Sequence, residues 1–237
     1  MSQAKRMEGI KVLVTGSGTG LGREIALEFA RQGAMVALHY AHSDQGVKSA
    51  VESILKSGGQ AKAFKAEFSD VTQVQRLGAE AVEFLGGLDV LVNNSGITMN
   101  RPFENVTLEQ FDTLYNVNVR GPFFLTQAVL PSLLQSTTRV VINLTSIHAF
   151  EGMPQHTVYA GTKGAIVAYT RALSIELAMK GIRVNAIAPG AVPVENYKKS
   201  GLKIDANDFA DLIPAGFAGT PLDIARVAIF LASEDSR

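Results

Sequence analysis

Short apolar runs rich in Val, Ile and Leu recur along the chain, separated by stretches whose apolar positions follow a helical period. The runs are KVLVT (11–15), MVALHY (35–40), AKAFKAE (61–67), LDVLVNN (88–94), RVVINLTS (139–146) and IRVNAIA (182–188). Segments this short and this β-branched read as strands buried on both faces. Helical patterns fall at about 20–32, 44–57, 70–85, 107–134 and 157–180. Two starts are marked by their chemistry: Thr107-Leu-Glu-Gln110 has the capping-box form, and Thr220-Pro221 places proline where a first helical turn tolerates it. Strand–helix alternation over nearly the whole length predicts an α/β fold, a parallel sheet with helices on both faces. No linker, repeat or low-complexity segment interrupts it, so one domain is expected over 1–237.

Composition narrows the function classes. Apolar residues make up 46% and charged residues 19%, enough for a sizeable core. Lys plus Arg equals Asp plus Glu, 22 against 22, so no global field favours nucleic acid or an anionic membrane. The absence of cysteine removes disulfides, thiolate metal sites and cysteine nucleophiles together. The N-terminus lacks a signal-peptide pattern and no apolar run approaches a membrane span, so a cytoplasmic protein is expected.

The first strand runs into Thr15-Gly-Ser-Gly-Thr-Gly-Leu-Gly22 and then a helix. In that context glycines let the backbone approach a pyrophosphate, and the helix N-terminus offers N–H groups and a positive dipole end. A tight turn alone explains one or two glycines, not four in seven residues. The common G-x-G-x-x-G spacing fails because Leu21 occupies its third glycine; Gly16, Gly20 and Gly22 instead give T-G-x-x-x-G-x-G. At the end of the second strand, Leu38-His39-Tyr40-Ala41-His42-Ser43 contains no acid before Asp44. A 2′-phosphate can be met there by Ser43 and His42, which favours NADP(H) over NAD(H). The competing reading leaves both histidines as solvent-exposed strand-end residues.

The stretch TVYAGTKGAIVAYTRALSIEL (157–177) reads as a helix with Tyr159 and Lys163 four apart, hence on one face. Bringing a tyrosine from its ordinary pKa near 10 to about 7 takes roughly 4 kcal/mol of preference for the phenolate. An ammonium about 4 Å away contributes up to about that amount at an effective dielectric near 20. The pair alone is weak evidence. It gains weight beside Ser146 at a strand end, LVNNSG (91–96) at another, and YNVNVRG (115–121) within the long helix, all brought by this topology toward one sheet edge.

Taken together, these motifs resemble a classical short-chain dehydrogenase/reductase over essentially the whole chain. The resemblance implies a Rossmann-type doubly wound sheet and a catalytic set of Asn118, Ser146, Tyr159 and Lys163. Tyr159 would be the acid/base, Lys163 would lower its pKa and hold the nicotinamide ribose, Ser146 would stabilise the substrate oxygen, and Asn118 would hold a relay water. Gly16, Ser17, Gly18, Thr19, Gly20, Leu21 and Gly22 would cradle the pyrophosphate, with Tyr40, His42 and Ser43 beyond them. Glu67 and Phe68 would lie near the adenine, and Asn94, Ser95, Gly96, Pro189, Gly190 and Val192 would line the remaining cofactor surface. Departures are Ser95 for the family's alanine, expected to matter little, Glu67 for aspartate, and Val194 for a threonine. Relatives also continue past LASEDSR into one more strand.

Within the family the pattern is most similar to 3-oxoacyl-acyl-carrier-protein reductases, with sugar or polyol dehydrogenases as the alternative and a catalytically silent nucleotide-binding protein as a third. Arg139 and Lys180 form no basic cluster for an acidic carrier protein, so a small carbonyl or alcohol substrate is favoured. Ser146, His148, Met153, His156, Tyr159 and Tyr197 are the expected substrate contacts, with 193–212 as a lid. Two loop histidines without a third ligand do not build a metal site. A dimer or tetramer is expected from the two long helices.

Overall fold

The structure is a computed structural model that describes residues 5–194 and 213–237. Six parallel strands, β1 (Lys11–Val14), β2 (Met35–Tyr40), β3 (Gln60–Lys65), β4 (Val90–Asn93), β5 (Val140–Leu144) and β6 (Arg183–Ile187), form one sheet in the order β3-β2-β1-β4-β5-β6. The order reverses between β1 and β4, which opens a crevice at the carboxyl ends of those strands. The register keeps the ends level: Val14 lies opposite Leu38 and Val92, Asn93 opposite Asn143, and Leu144 opposite Ile187.

Residues of the central strands alternate between two buried faces because successive side chains point oppositely, while the edge strand β3 buries only Phe64. Val12, Val14, Val36, Leu38, Val90, Val92, Val140 and Ile142 pack on one side with α1 (Gly20–Arg31), α2 (Asp44–Lys56) and the last helix. Leu13, Ala37, Leu91 and Val141 pack on the other with α3 (Val71–Leu85) and the helices following β4 and β5. Each helix therefore needs one apolar stripe, which the sequence supplies.

The segment expected as one helix over 107–134 is three pieces. α4 (Leu108–Tyr115) starts on the Thr107–Gln110 capping box, a π-turn spans Asn116–Arg120, and α5 (Gly121–Leu133) continues with Pro122 in its first turn. The extra residue of a π-turn changes which side chains face inward. Among the described residues, α6 (Thr157–Ala178) and α7 (Pro221–Ala232) are the remaining α-helices, α7 beginning on a capping box of Thr220 and Asp223.

A polar ladder crosses the second core. Asn93 Nδ2 donates to Thr126 Oγ1 of α5 at 3.0 Å and to Asn143 Oδ1 at 2.9 Å, and Asn143 Nδ2 donates to Thr170 Oγ1 of α6 at 2.9 Å. All four side chains are buried.

Candidate active site

The glycine loop leaves β1 at the crevice, with Gly16 and Gly20 at φ of +64° and +56°, a region that favours glycine. A Cβ at Gly22 would overlap the Gly16 carbonyl oxygen and Asn94 Nδ2, and one at Gly18 would overlap the Ser43 hydroxyl. The cradle thus exists only because these positions carry no side chain. α1 begins at Gly20 without a side-chain cap from Thr19 and without an acidic residue in its first turn, which leaves its positive end to an external anion. Leu21 and Thr19 are half-buried on that turn. Asn94 Nδ2 donates to the carbonyls of Thr15 (2.8 Å) and Gly16 (3.2 Å), while the Asn94 and Ser95 amides both donate to Thr15 Oγ1 at 2.9 Å. The LVNNSG motif therefore braces the loop from the β4 side. These residues fit a dinucleotide.

Ser17 is placed differently from its expected role. Its side chain is fully buried, and its amide (2.9 Å) and hydroxyl (3.1 Å) both donate to the His39 carbonyl. The reading of His39 as a solvent-exposed strand-end residue is overturned: it is 2% exposed, because its ring packs on Phe68 at 4.5 Å between centroids. Burial pushes its imidazole down to about 4. His42 is the exposed one, 3.5 Å from the Glu67 carboxylate. The Phe68 ring is also in the core, packed against His39 and Gly121. Lys65, missed in the sequence, holds its ammonium 5.7 Å from the Tyr40 ring centre and 3.5 Å from the Asp44 carboxylate, beside Ser43 in sequence. Only its place opposite Tyr40 in the register could have signalled it.

Asn118, Tyr159 and Lys163 are connected by hydrogen bonds and close packing, and Ser146 follows directly after Thr145, which is bonded to α6. Lys163 on α6 is buried and donates to the Leu144 carbonyl at 2.9 Å, its ammonium 5.7 Å from the Tyr159 ring centre. Burial lowers this ammonium to about 8, so it is mostly charged at neutral pH. Thr145 Oγ1 donates to the Lys163 carbonyl at 2.9 Å, tying α6 to the end of β5 one residue before Ser146. Ser146 is buried and its hydroxyl accepts from the His148 amide at 3.2 Å. Asn118, fully buried in the π-turn, accepts from the Ile97 amide at 2.8 Å and donates to the Ile97 carbonyl at 2.9 Å and to Thr162 Oγ1 at 3.1 Å. Thr162 Oγ1 in turn donates to the Tyr159 carbonyl at 2.7 Å. A Cβ on Gly96 would stand 3.3 Å from Asn118 Oδ1 and 3.5 Å from Lys163 Nζ, which puts these groups at one wall. Thr162 was not legible as part of this site, since a threonine inside a helix carries no signal.

After Ser146 the loop folds back so that the rings of His148 and His156 lie 6.3 and 6.1 Å from the Tyr159 ring and 5.3 Å from each other. His156 Nδ1 lies 3.0 Å from the Pro154 carbonyl. Met153 is exposed on the same loop. The Pro189 carbonyl accepts from the Ile147 amide at 3.1 Å, Gly190 is exposed, and Val192 is buried against Gly219. A Cβ at Gly20 would stand 3.4 Å from the Val194 side chain, so Val194 covers the mouth of the glycine loop. Tyr197 and nearly all of the expected lid, 193–212, lie outside the described residues. Among the described residues, no group of three or more His, Asp or Glu could hold a metal ion, and no helix is long and apolar enough to cross a membrane.

Comparison with known proteins gives this geometry a context. A family model described as enoyl-(acyl carrier protein) reductase matches residues 16–237. A hydroxynaphthalene reductase-like protein of Metarhizium anisopliae is 36% identical, the match covering 98% of this chain and 91% of that one. A trihydroxynaphthalene reductase of Pestalotiopsis fici is 37% identical over 97% of this chain and 85% of its own. Among solved structures, a short-chain dehydrogenase from Burkholderia cenocepacia in complex with NADP superposes with a TM-score of 0.89 at 28% identity, covering 98% of this chain and 93% of that one. A short-chain dehydrogenase/reductase from Serratia marcescens gives the same TM-score, identity and coverage. With a doubly wound sheet, a glycine cradle at its switch point and relatives matched over almost their full length, the chain belongs to the short-chain dehydrogenase/reductase family, an oxidoreductase family.

Proposed function

We propose that this chain is an NADP(H)-dependent reductase that interconverts a ketone and a secondary alcohol on a small, cyclic, hydroxylated substrate. The observation that carries the reading is Lys163, a buried ammonium with no carboxylate partner among the described residues, set on the face of Tyr159. Such a charge destabilises a fold, so its presence asks for a chemical use. The ammonium lies 5.7 Å from the Tyr159 ring centre; a positive charge about 6 Å from a phenolate favours it by about 3 kcal/mol at an effective dielectric near 20.

The dinucleotide, when bound, supplies or accepts the hydride at the carbon of the substrate carbonyl. Tyr159 gives its hydroxyl proton to the carbonyl oxygen in reduction and takes it back in oxidation. Ser146 holds the same oxygen, its hydroxyl oriented by the His148 amide. Lys163 stabilises the phenolate left behind, and Asn118 fixes the wall of this pocket through both Ile97 backbone groups. His148, His156 and Met153 would face the substrate from the loop.

The cofactor choice rests on a second strand without an acid before Asp44, on Ser43 seated against Gly18, and on Lys65 as a nearby cation. The neighbouring NADP complex supports it. The relatives named as hydroxynaphthalene reductases support the substrate class over a carrier-protein thioester. So does Arg139, whose guanidinium is committed to the carbonyls of Ser136 (2.6 Å) and Lys180 (2.7 Å) rather than presented to an acidic partner. Assembly through α5 and α6 belongs to the same reading, since Phe123 and Ile175 are exposed there. Oxidation of NADPH and NADH, followed by absorbance against hydroxynaphthalene-type ketones, 3-oxoacyl thioesters and sugars, tests the proposal. Tyr159→Phe should abolish turnover while NADPH affinity stays intact; turnover surviving in that variant refutes the assignment.

A further inference from the structure

We propose that His39 is a positioning residue that presets the dinucleotide loop by pinning it from behind, in partnership with Ser95. The proposal rests on the oxidoreductase reading only for its ligand; the geometry stands by itself. His39 Nε2 lies 3.0 Å from the Ala66 carbonyl oxygen, which can only accept, so Nε2 carries the proton. In a neutral ring that leaves Nδ1 as an acceptor. Two groups converge on it: the Gly16 amide at 3.2 Å and the Ser95 hydroxyl at 3.2 Å. The carbonyl of the same residue receives the Ser17 amide and hydroxyl. His39 therefore engages the amides of both Gly16 and Ser17, which point into the protein and not toward the crevice. The anion cradle is left to the later glycines and the start of α1.

Three otherwise separate elements meet at this imidazole. They are the loop after β1, the NNSG turn after β4 and the end of β3 at Ala66. The ring is clamped by Phe68, so its nitrogens cannot swing away to water. The substitution of serine for the family's alanine at 95 thus has a partner: the Ser95 hydroxyl needs an acceptor behind the loop, and His39 is that acceptor. A loop held in its bound shape before the ligand arrives loses less freedom on binding, so its affinity rises without any new contact to the ligand.

The test uses the full-length chain with NADPH as the probe. His39→Leu keeps the size and removes both nitrogens; it should raise the dissociation constant and KM for NADPH about tenfold, the equivalent of one lost hydrogen bond, with kcat at saturating NADPH little changed. His39→Gln, which can donate and accept from one side chain, should recover most of that loss. Ser95→Ala should weaken binding in the parent but not in the His39→Leu background. In the cofactor-free protein, hydrogen exchange at the Gly16 amide should accelerate in His39→Leu by about tenfold, while the Ser17 amide, bonded to the His39 backbone carbonyl, keeps its acceptor. Should His39→Leu fail to fold, His39→Gln and Ser95→Ala still decide. Unchanged NADPH affinity in a folded His39→Leu, strictly additive effects of the two substitutions, or unchanged exchange at Gly16 would overturn the proposal. Failure of the parent protein to bind NADPH counts against the oxidoreductase reading instead, and leaves the exchange measurement to judge His39.

Discussion

Replacing Lys163 with methionine in the cofactor-free protein should flatten its alkaline stability profile. The fold lowers this ammonium from the ordinary 10.5 to about 8 by burial. Below about pH 8 both folded and unfolded chains carry the proton, and the folded state bears the full penalty of about 3 kcal/mol. Between the two pKa values the unfolded chain binds more protons than the folded one, so stability rises with pH. From about pH 7 to about pH 9.5 the parent protein should gain about 2 kcal/mol relative to the variant. Urea denaturation at several pH values reads this directly: with a slope near 2 kcal/mol per molar, the gap between the two midpoints should change by about 1 M. Two side effects cancel or stay constant. Tyr169, whose phenol burial pushes upward, removes stability above the ordinary tyrosine range in both proteins equally. The Leu144 carbonyl that loses its donor in the variant adds an offset that does not depend on pH. Parallel stability curves for the two proteins would refute the claim that the folded state holds a reluctant charge at this position.

Three further outcomes follow from the geometry. Gly22→Ala places a Cβ against the Gly16 carbonyl and Asn94 Nδ2, and the backbone cannot yield cheaply; NADPH affinity by calorimetry should fall at least about tenfold with a loss of roughly 1–3 kcal/mol in stability. Asn118→Ala strands the Ile97 amide and carbonyl, which should lower stability by about 2 kcal/mol in a thermal melt and reduce turnover more than KM. His39, held near 4 against its ordinary 6.5, contributes stability that is present above pH 6.5 and lost as pH falls through about 4; the acid limb of a denaturation series should lose up to about 3 kcal/mol there, and His39→Gln should remove that limb.

The sheet was readable in the residues because most strands are short apolar runs, those of β1, β4 and β5 dominated by Val, Ile and Leu, and helices carry their own start signals, as at Thr107 and Thr220. The site was readable where a motif ties the backbone to one geometry, as do the glycines after β1, the NNSG turn, and the tyrosine–lysine spacing on α6. What escaped was set by three-dimensional neighbours. His39 sits in an apolar run, and nothing local says that Gly16, Ser95 and Ala66 surround it. The π-turn over Asn116–Arg120 escaped because helical periodicity tolerates one extra residue without an obvious break. Phe68 looked like a cofactor contact by position, and its ring lies in the core against His39, an orientation that pattern alone does not give.

Hydrophobicity cannot by itself hold β4 and β5 at one height, because sliding one strand by two residues leaves every apolar side chain on its proper face. The Thr126–Asn93–Asn143–Thr170 ladder removes that freedom. A slipped pairing would break the Asn93–Asn143 bond and leave the buried Asn143 amide oxygen without its donor, a penalty of about 1–3 kcal/mol. Those amides work as a ruler: they fix where the two strands stop, and so set the offset between Asn94 and Ser146 along the crevice before any ligand enters.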